Sequence, residues 1–146
     1  MSPSVRPRWV TATVFGLVVM ITWTLVVKYL VPLVWTLSGA LAGAAAEPAR
    51  VMWDFWPLTH LVLAVLLWRG QRFAWSSGVA LAAAESAVVL LKLARYLAAP
   101  EWSFWKLLWF TNKIYVLAFF LCLLTVLLGP GRKDFGEARR PRWAIV

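Results

Sequence analysis

The feature that most constrains this chain is a set of long apolar runs with few charges. From Trp9 to Val27 no residue is charged, and the run from Leu107 to Leu128 contains only Lys113. A helix needs about 20 predominantly apolar residues to cross the hydrocarbon core of a bilayer. Hydrophobic residues make up 62% of the 146 residues and charged residues 14%, whereas soluble domains contain roughly 45–50% and about 25%. This composition excludes a soluble enzyme, a disordered regulator and an ordinary nucleic-acid-binding module, so no nucleic-acid partner is expected.

Four spans are predicted, and together they define an all-α, integral membrane four-helix bundle that forms a single domain over residues 1–128. The predicted spans are residues 9–30, 51–68, 74–97 and 107–128. Between helices 1 and 2, residues 31–46 are apolar but too short for another crossing, and they contain Pro32 and two glycines. Irregular backbone at membrane depth must be covered by protein. A re-entrant or interfacial segment is therefore expected there.

The distribution of basic residues predicts the topology. Nine of the 15 Lys and Arg residues fall in segments that four spans would place on one side. They are Arg6, Arg8, Arg69, Arg72, Arg132, Lys133, Arg139, Arg140 and Arg142. Loops rich in Lys and Arg stay in the cytoplasm. We therefore expect a multi-pass protein with both termini in the cytoplasm and a basic cytoplasmic tail over residues 129–146.

Glu85 is the strongest candidate functional residue because it lies in the middle of the third span. An ionised carboxylate in hydrocarbon is costly, so Glu85 should be protonated or paired with a cation. Lys92 lies seven residues later on the same helix face, two turns away, and both side chains are predicted to point into one cavity. The alternative role of Glu85 is structural, as a hydrogen-bonding contact between helices.

The second and fourth spans supply further polar and aromatic candidates. His60 is a second candidate catalytic residue, with a packed structural histidine as the alternative. The candidate ligand-binding residues are Asn112, Tyr115, Trp109, Trp56, Lys92 and Asp54. Lys28 is expected to extend towards the outer headgroups, as long cationic side chains do, and for Lys113 this position is the alternative to a functional role. A pocket with apolar walls and a few convergent polar groups is the usual form of a small-molecule site.

Metal and cofactor sites are not predicted. One histidine and one cysteine cannot supply a zinc site, and the glycines form no phosphate-binding motif. The only cysteine, Cys122, also excludes an internal disulfide.

A motif in the fourth span consists of Phe104-Trp105 followed by Phe110-Thr111-Asn112-Lys113-Ile114-Tyr115, and the second span contains Trp56-Pro57-Leu58 and ends at Trp68-Arg69. Over about residues 45–128 this pattern resembles the EXPERA superfamily, which includes the emopamil-binding sterol isomerases. The resemblance implies that Asn112 contacts the polar end of a ligand or the catalytic groups. It also implies that Tyr115 replaces an aromatic residue that stabilises positive charge. Those isomerases carry a histidine and a glutamate on the first helix; residues 9–30 contain neither, so isomerase activity does not transfer.

The main functional hypothesis is an integral membrane protein that binds a sterol- or isoprenoid-like apolar small molecule in an intramembrane pocket. As an isomerase or cyclase, it would use protonated Glu85 to protonate an alkene. The rings of Trp109, Tyr115 and Trp56 would stabilise the carbocation.

Two alternatives stay open. One is a small accessory or assembly subunit of a larger membrane complex, which would use the small residues from Ser38 to Ala46 as a helix contact. The other is a small proton-coupled transporter with Glu85 as the coupling site. The expected partners are membrane lipids and the apolar ligand, with a homodimer or a membrane-complex partner as the alternative.

Overall fold

The computed structural model describes residues 6–43, 55–100 and 102–135, and every regular element within these ranges is helical. In chain order the elements are α1 (Arg8–Leu25), a first π-helical turn (Val26–Leu30), α2 (Val31–Leu41), α3 (Trp56–Trp68), α4 (Ala74–Ala98), α5 (Phe104–Val126), a second π-helical turn (Leu127–Gly131) and α6 (Arg132–Phe135). The prediction of an all-α fold is confirmed for these residues.

Three helical segments are long and apolar enough to cross a membrane, namely Arg8–Leu41, Ala74–Ala98 and Phe104–Phe135. The fourth apolar helix, α3, has 13 residues. At 1.5 Å per residue it is about 20 Å long, which is less than the roughly 30 Å of a hydrocarbon core. The second predicted span begins at residue 51, and residues 51–54 lie outside the described residues. Its complete crossing stays a prediction.

The re-entrant or interfacial segment expected for residues 31–46 is not confirmed. Val31–Leu41 is helical, and it follows α1 without a break because Leu25, Leu30 and Val31 all have right-handed helical backbone angles. Pro32 lacks a backbone N–H and cannot make the usual helical hydrogen bond. The first π-helical turn lies directly before this proline, and such wider turns occur where the regular hydrogen-bond pattern is interrupted. Residues 44–46 lie outside the described residues.

The helices pack as two pairs, with α1 along α3 and α4 along α5, and the pairs meet through α3–α4 and α1–α5 contacts. Leu17, Leu67, Phe120 and Leu127 are fully buried between them. This apolar core occupies the half of the bundle that contains the start of α1 and the end of α5. The buried ionisable residues His60 and Glu85 are absent from this apolar core.

Indole hydrogen bonds close the apolar end of the bundle. Trp9 Nε1 donates to Asp134 Oδ2 at 2.6 Å, and the Trp9 ring meets that of Phe135 edge to face at 6.1 Å. Trp75 Nε1 donates to the carbonyl oxygen of Leu127, in the second π-helical turn, at 2.8 Å. The beginnings of α1 and α4 are thus joined to the end of the described chain. The cytoplasmic location of this end stays a prediction.

Candidate functional site

A cavity between α1, α3, α4 and α5 collects most of the polar side chains that lie at membrane depth. Its ionisable and amide lining residues are Lys28, His60, Glu85, Lys92, Asn112 and Lys113. The cavity and the open space at its mouth together have a volume of about 470 Å³, of which about 40 Å³ can hold the centre of a water molecule. That space holds about three water molecules. The site is therefore polar and small.

Helical spacing explains why α4 contributes several residues to this lining. Glu85, Val89 and Lys92 follow one another at intervals of four and three residues, so they share one face of the helix. All three line the cavity. On α1, Met20 and Thr24 are four residues apart, and both are buried. They line the cavity from the side of α1. The cavity is thus bounded by inward faces of the helices rather than by loops.

His60 is 3% exposed and lies between two aromatic rings. Its imidazole is stacked on Trp56 with ring centroids 6.3 Å apart, and the ring of Phe120 lies at 5.1 Å on a tilted plane. Within the described part of the chain, neither imidazole nitrogen has a hydrogen-bond partner. A neutral imidazole has one donor and one acceptor, and burying them unpaired costs free energy. Water or a ligand in the cavity would supply the missing partners.

Asn112 is 4% exposed and is held by an indole. Trp23 Nε1 lies 2.9 Å from Asn112 Oδ1. Because an indole nitrogen can only donate, the atom that faces Trp23 must be the amide oxygen. The amino group of Asn112 is then left as a donor at the cavity. Trp23 was not predicted as a site residue, although a tryptophan this deep in a span needs an acceptor for its N–H.

Positive charge exceeds negative charge in the described lining. Glu85 is 5% exposed and lies within electrostatic range of Lys28, Lys92 and Lys113. No hydrogen bond or ion pair of the described structure joins Glu85 to Lys92 or to Lys113. Around one small space, opposite charges attract each other and like charges repel. Glu85 thus lowers the mutual repulsion of the lysines without contacting Lys92 or Lys113.

The position of Lys28 differs from the expectation that it extends to the headgroups, and for Lys113 the structure favours the site over the headgroups. Both side chains line the cavity. Lys113 Nζ lies 5.8 Å from the centroid of the Trp109 ring, a distance at which the ring face attracts a cation. Lys28 follows Thr24 by four residues and so continues the buried stripe of α1. That periodicity is the sequence signal that would have identified Lys28 as a lining residue.

The other predicted site residues are not all brought together. Trp109 does not line the cavity, and its ring packs 5.5 Å from that of Tyr96 at the far end of α4. Tyr115 is exposed, and its ring meets that of Trp23 edge to face at 5.7 Å. Asp54 lies outside the described residues. Of the three aromatic residues predicted to bind the ligand, only Trp56 lines the cavity.

No group of three or more His, Cys, Asp or Glu side chains in the described ranges could hold a metal ion. Comparisons of the chain with family models, with curated proteins and with solved structures give no match. The resemblance to the EXPERA superfamily therefore depends on the motif residues alone and stays a prediction. The function has to be inferred from the chemistry of the cavity.

Proposed function

We propose that this protein binds a membrane-soluble small molecule, sterol- or isoprenoid-like in its hydrocarbon body, with the polar end of the ligand in the cavity. The observation that carries the proposal is His60, whose buried ring nitrogens lack partners in the described structure and which lines a cavity in a bundle of apolar helices. Inside a bilayer no bulk water is available to satisfy such groups. A ligand oxygen or hydroxyl group would therefore gain binding free energy by hydrogen bonding to His60.

The size of the cavity determines which part of the ligand enters it. A space for about three water molecules accepts a polar group but not a sterol ring system. The hydrocarbon body would lie outside the cavity, along the apolar surfaces that the helices present to the bilayer. This arrangement needs no enclosed apolar pocket, since lipid is already a favourable solvent for the ligand body.

The cavity supports binding better than acid-catalysed isomerisation or cyclisation. Protonation of an alkene creates a carbocation, and an aromatic ring face stabilises a cation by about 0.5–2 kcal/mol. Of the three rings predicted to stabilise the carbocation, only that of Trp56 lines the cavity. Each lysine ammonium that lines the cavity would also repel the carbocation. Glu85 acts in this proposal as a counter-charge for the lysines.

The test compares His60→Phe with the wild-type protein in lipid nanodiscs. Phenylalanine keeps the ring between Trp56 and Phe120 but removes both nitrogens. Photo-crosslinking with diazirine analogues of a sterol and of an isoprenoid alcohol measures binding, and mass spectrometry of the purified protein identifies any co-purified lipid. We expect probe affinity to fall about five- to tenfold in His60→Phe, as loss of a hydrogen bond in a buried site predicts.

The stability of the ligand-free protein provides an independent measurement. Removing unpaired buried polar atoms is close to neutral or stabilising, so His60→Phe should unfold no more readily than the wild type. Thr125→Val is the matched control, because Thr125 Oγ1 bonds only within its own helix, to the Leu121 carbonyl oxygen, and Thr125 does not line the cavity. Unchanged probe affinity in His60→Phe, or no probe binding by the wild type, would contradict the proposal.

A second candidate function, an accessory subunit of a membrane complex, is favoured by α2. None of the 11 residues of α2 is buried, and its large side chains Leu33, Trp35 and Leu37 are each more than half exposed. Ser38 and Gly39 on the same helix would let a partner helix approach closely. Purification in mild detergent tests this function: a stoichiometric protein partner supports it, whereas a monomer that retains a lipid supports ligand binding alone.

A further inference from the structure

We infer that the polar end of the ligand is an oxyanion, a carboxylate or a phosphate group. This inference depends on the proposed binding function and specifies its ligand. The evidence is the type of hydrogen-bonding group that the cavity offers, together with the sign of its charge.

The cavity offers mainly hydrogen-bond donors. The ammonium groups of Lys92 and Lys113 can donate but cannot accept. The amide oxygen of Asn112 already accepts a hydrogen bond from the Trp23 indole, whereas its amino group has two N–H donors for a ligand. His60 adds one further donor when its imidazole is neutral. A ligand that satisfies this set must be rich in acceptors, as the oxygens of a carboxylate or phosphate are.

The charge balance points to the same chemistry. Even with Lys28 left aside, Lys92 and Lys113 carry two positive charges against one carboxylate, Glu85, in the described part of the lining. Neither of these two lysines makes an ion pair with a carboxylate of the described residues. Both lysines line the cavity, Lys113 half-buried and Lys92 exposed, and a charge at membrane depth is costly unless it is balanced. One more negative charge in the cavity would balance this excess.

The hydrogen-bond donors come from three helices around a small space, so one compact acceptor group can reach several of them. Lys92 comes from α4, Asn112 and Lys113 are neighbours on α5, and His60 comes from α3 on the other helix pair. A carboxylate or phosphate group would replace the water in the cavity and could accept hydrogen bonds from several of these helices at once. Hydrogen bonds between an ionised donor and an ionised acceptor are roughly twice as strong as neutral ones.

The experiment uses three ligands with the same farnesyl body and different ends: farnesyl phosphate, farnesoic acid and farnesol. Each is titrated into the wild-type protein in nanodiscs of zwitterionic phosphatidylcholine, and binding is followed by tryptophan fluorescence, for which Trp56 at the cavity and the nearby Trp23 are the reporters. We expect at least one anionic ligand to bind about tenfold or more tightly than farnesol. Lys92→Gln and Lys113→Gln should each reduce this ratio.

Lys133→Gln is the matched control, since it removes the same charge from an exposed position of α6, which contributes nothing to the cavity lining. It should leave the ratio unchanged. Inorganic phosphate at equal concentration distinguishes the source of the anion: competition with farnesyl phosphate indicates a free phosphate site, and no competition indicates the headgroup of a membrane-borne ligand. Both results support an oxyanion site.

Two results would overturn the inference, and they are distinguishable. If farnesol binds as tightly as the two anionic ligands, the oxyanion inference fails and the proposed binding function stands. If no farnesyl ligand and no sterol probe binds, the proposed function fails as well. The wild-type affinity ratio decides between these results without any variant, so a lysine substitution that impairs folding does not affect the conclusion.

Discussion

The hydrogen bond between Trp23 and Asn112 joins α1 to α5 and allows a quantitative prediction. Trp23 Nε1 lies 2.9 Å from Asn112 Oδ1, and Asn112 is 4% exposed. Trp23→Phe removes the donor but keeps an aromatic ring against Tyr115, which the indole meets edge to face at 5.7 Å. The amide oxygen would then be buried without this partner. Such an unpaired group costs about 1–3 kcal/mol, whereas measured couplings between transmembrane helices average about 0.6 and reach about 1.7 kcal/mol.

We expect a coupling free energy of about 1 kcal/mol between the two side chains, because few waters in the small cavity could replace the indole. The measurement is a double-mutant cycle of wild type, Trp23→Phe, Asn112→Leu and the double variant, with reversible unfolding followed in bicelles. The double variant should be more stable than the sum of the single losses predicts. Additive losses, within about 0.3 kcal/mol, would refute the claim that this hydrogen bond stabilises the α1–α5 contact.

Three further predictions concern packing at the apolar end of the bundle. Phe120 is fully buried, so Phe120→Ala should destabilise the protein by about 3–5 kcal/mol in an unfolding titration; a loss below about 1 kcal/mol would contradict this burial. A Cβ on Gly78 would lie 2.9 Å from Leu127 Cδ1 and 3.3 Å from Leu63 Cδ1. Because these flexible side-chain ends can shift, Gly78→Leu should cost about 1–3 kcal/mol and Gly78→Ala clearly less, and equal losses would be the contrary result. Trp75→Phe should cost about 0.5–1.5 kcal/mol and speed amide exchange in the second π-helical turn, and unchanged exchange would show that the indole does not hold that turn.

The third and fourth spans could be predicted from the sequence almost completely. The predicted span 74–97 agrees with α4 (Ala74–Ala98), and the predicted span 107–128 lies within the helical segment Phe104–Phe135. Length and apolarity are local properties, and in a bilayer every backbone polar group must be satisfied within the segment. A long apolar run therefore has few conformations other than a helix. Residues 31–41 were harder to predict. Pro32 and Gly39 suggest that the helix ends there, but the helix continues past Pro32 through the first π-helical turn.

The side chains that different helices contribute to the cavity and to its surrounding hydrogen bonds could not be predicted in the same way. Lys28 was expected at the headgroups and Trp23 had no assigned role, yet the structure places one on the cavity wall and the other against Asn112. These helices are apolar around most of their circumference, so hydropathy does not indicate which face turns inward. Without a hydrophobic driving force between helices in lipid, packing and a few hydrogen bonds decide the rotation of each helix.

The amino-acid sequence alone determined that this chain is helical and apolar enough for a membrane, and that Glu85 and Lys92 share a helix face. Only the tertiary structure decided that, among the described residues, three lysines, one carboxylate, His60 and Asn112 surround a space for about three water molecules. The physical reason is that hydropathy and helical periodicity act within one segment. The size, charge and donor set of a cavity arise from how four helices are rotated against one another, and that rotation depends on contacts between residues far apart in the chain.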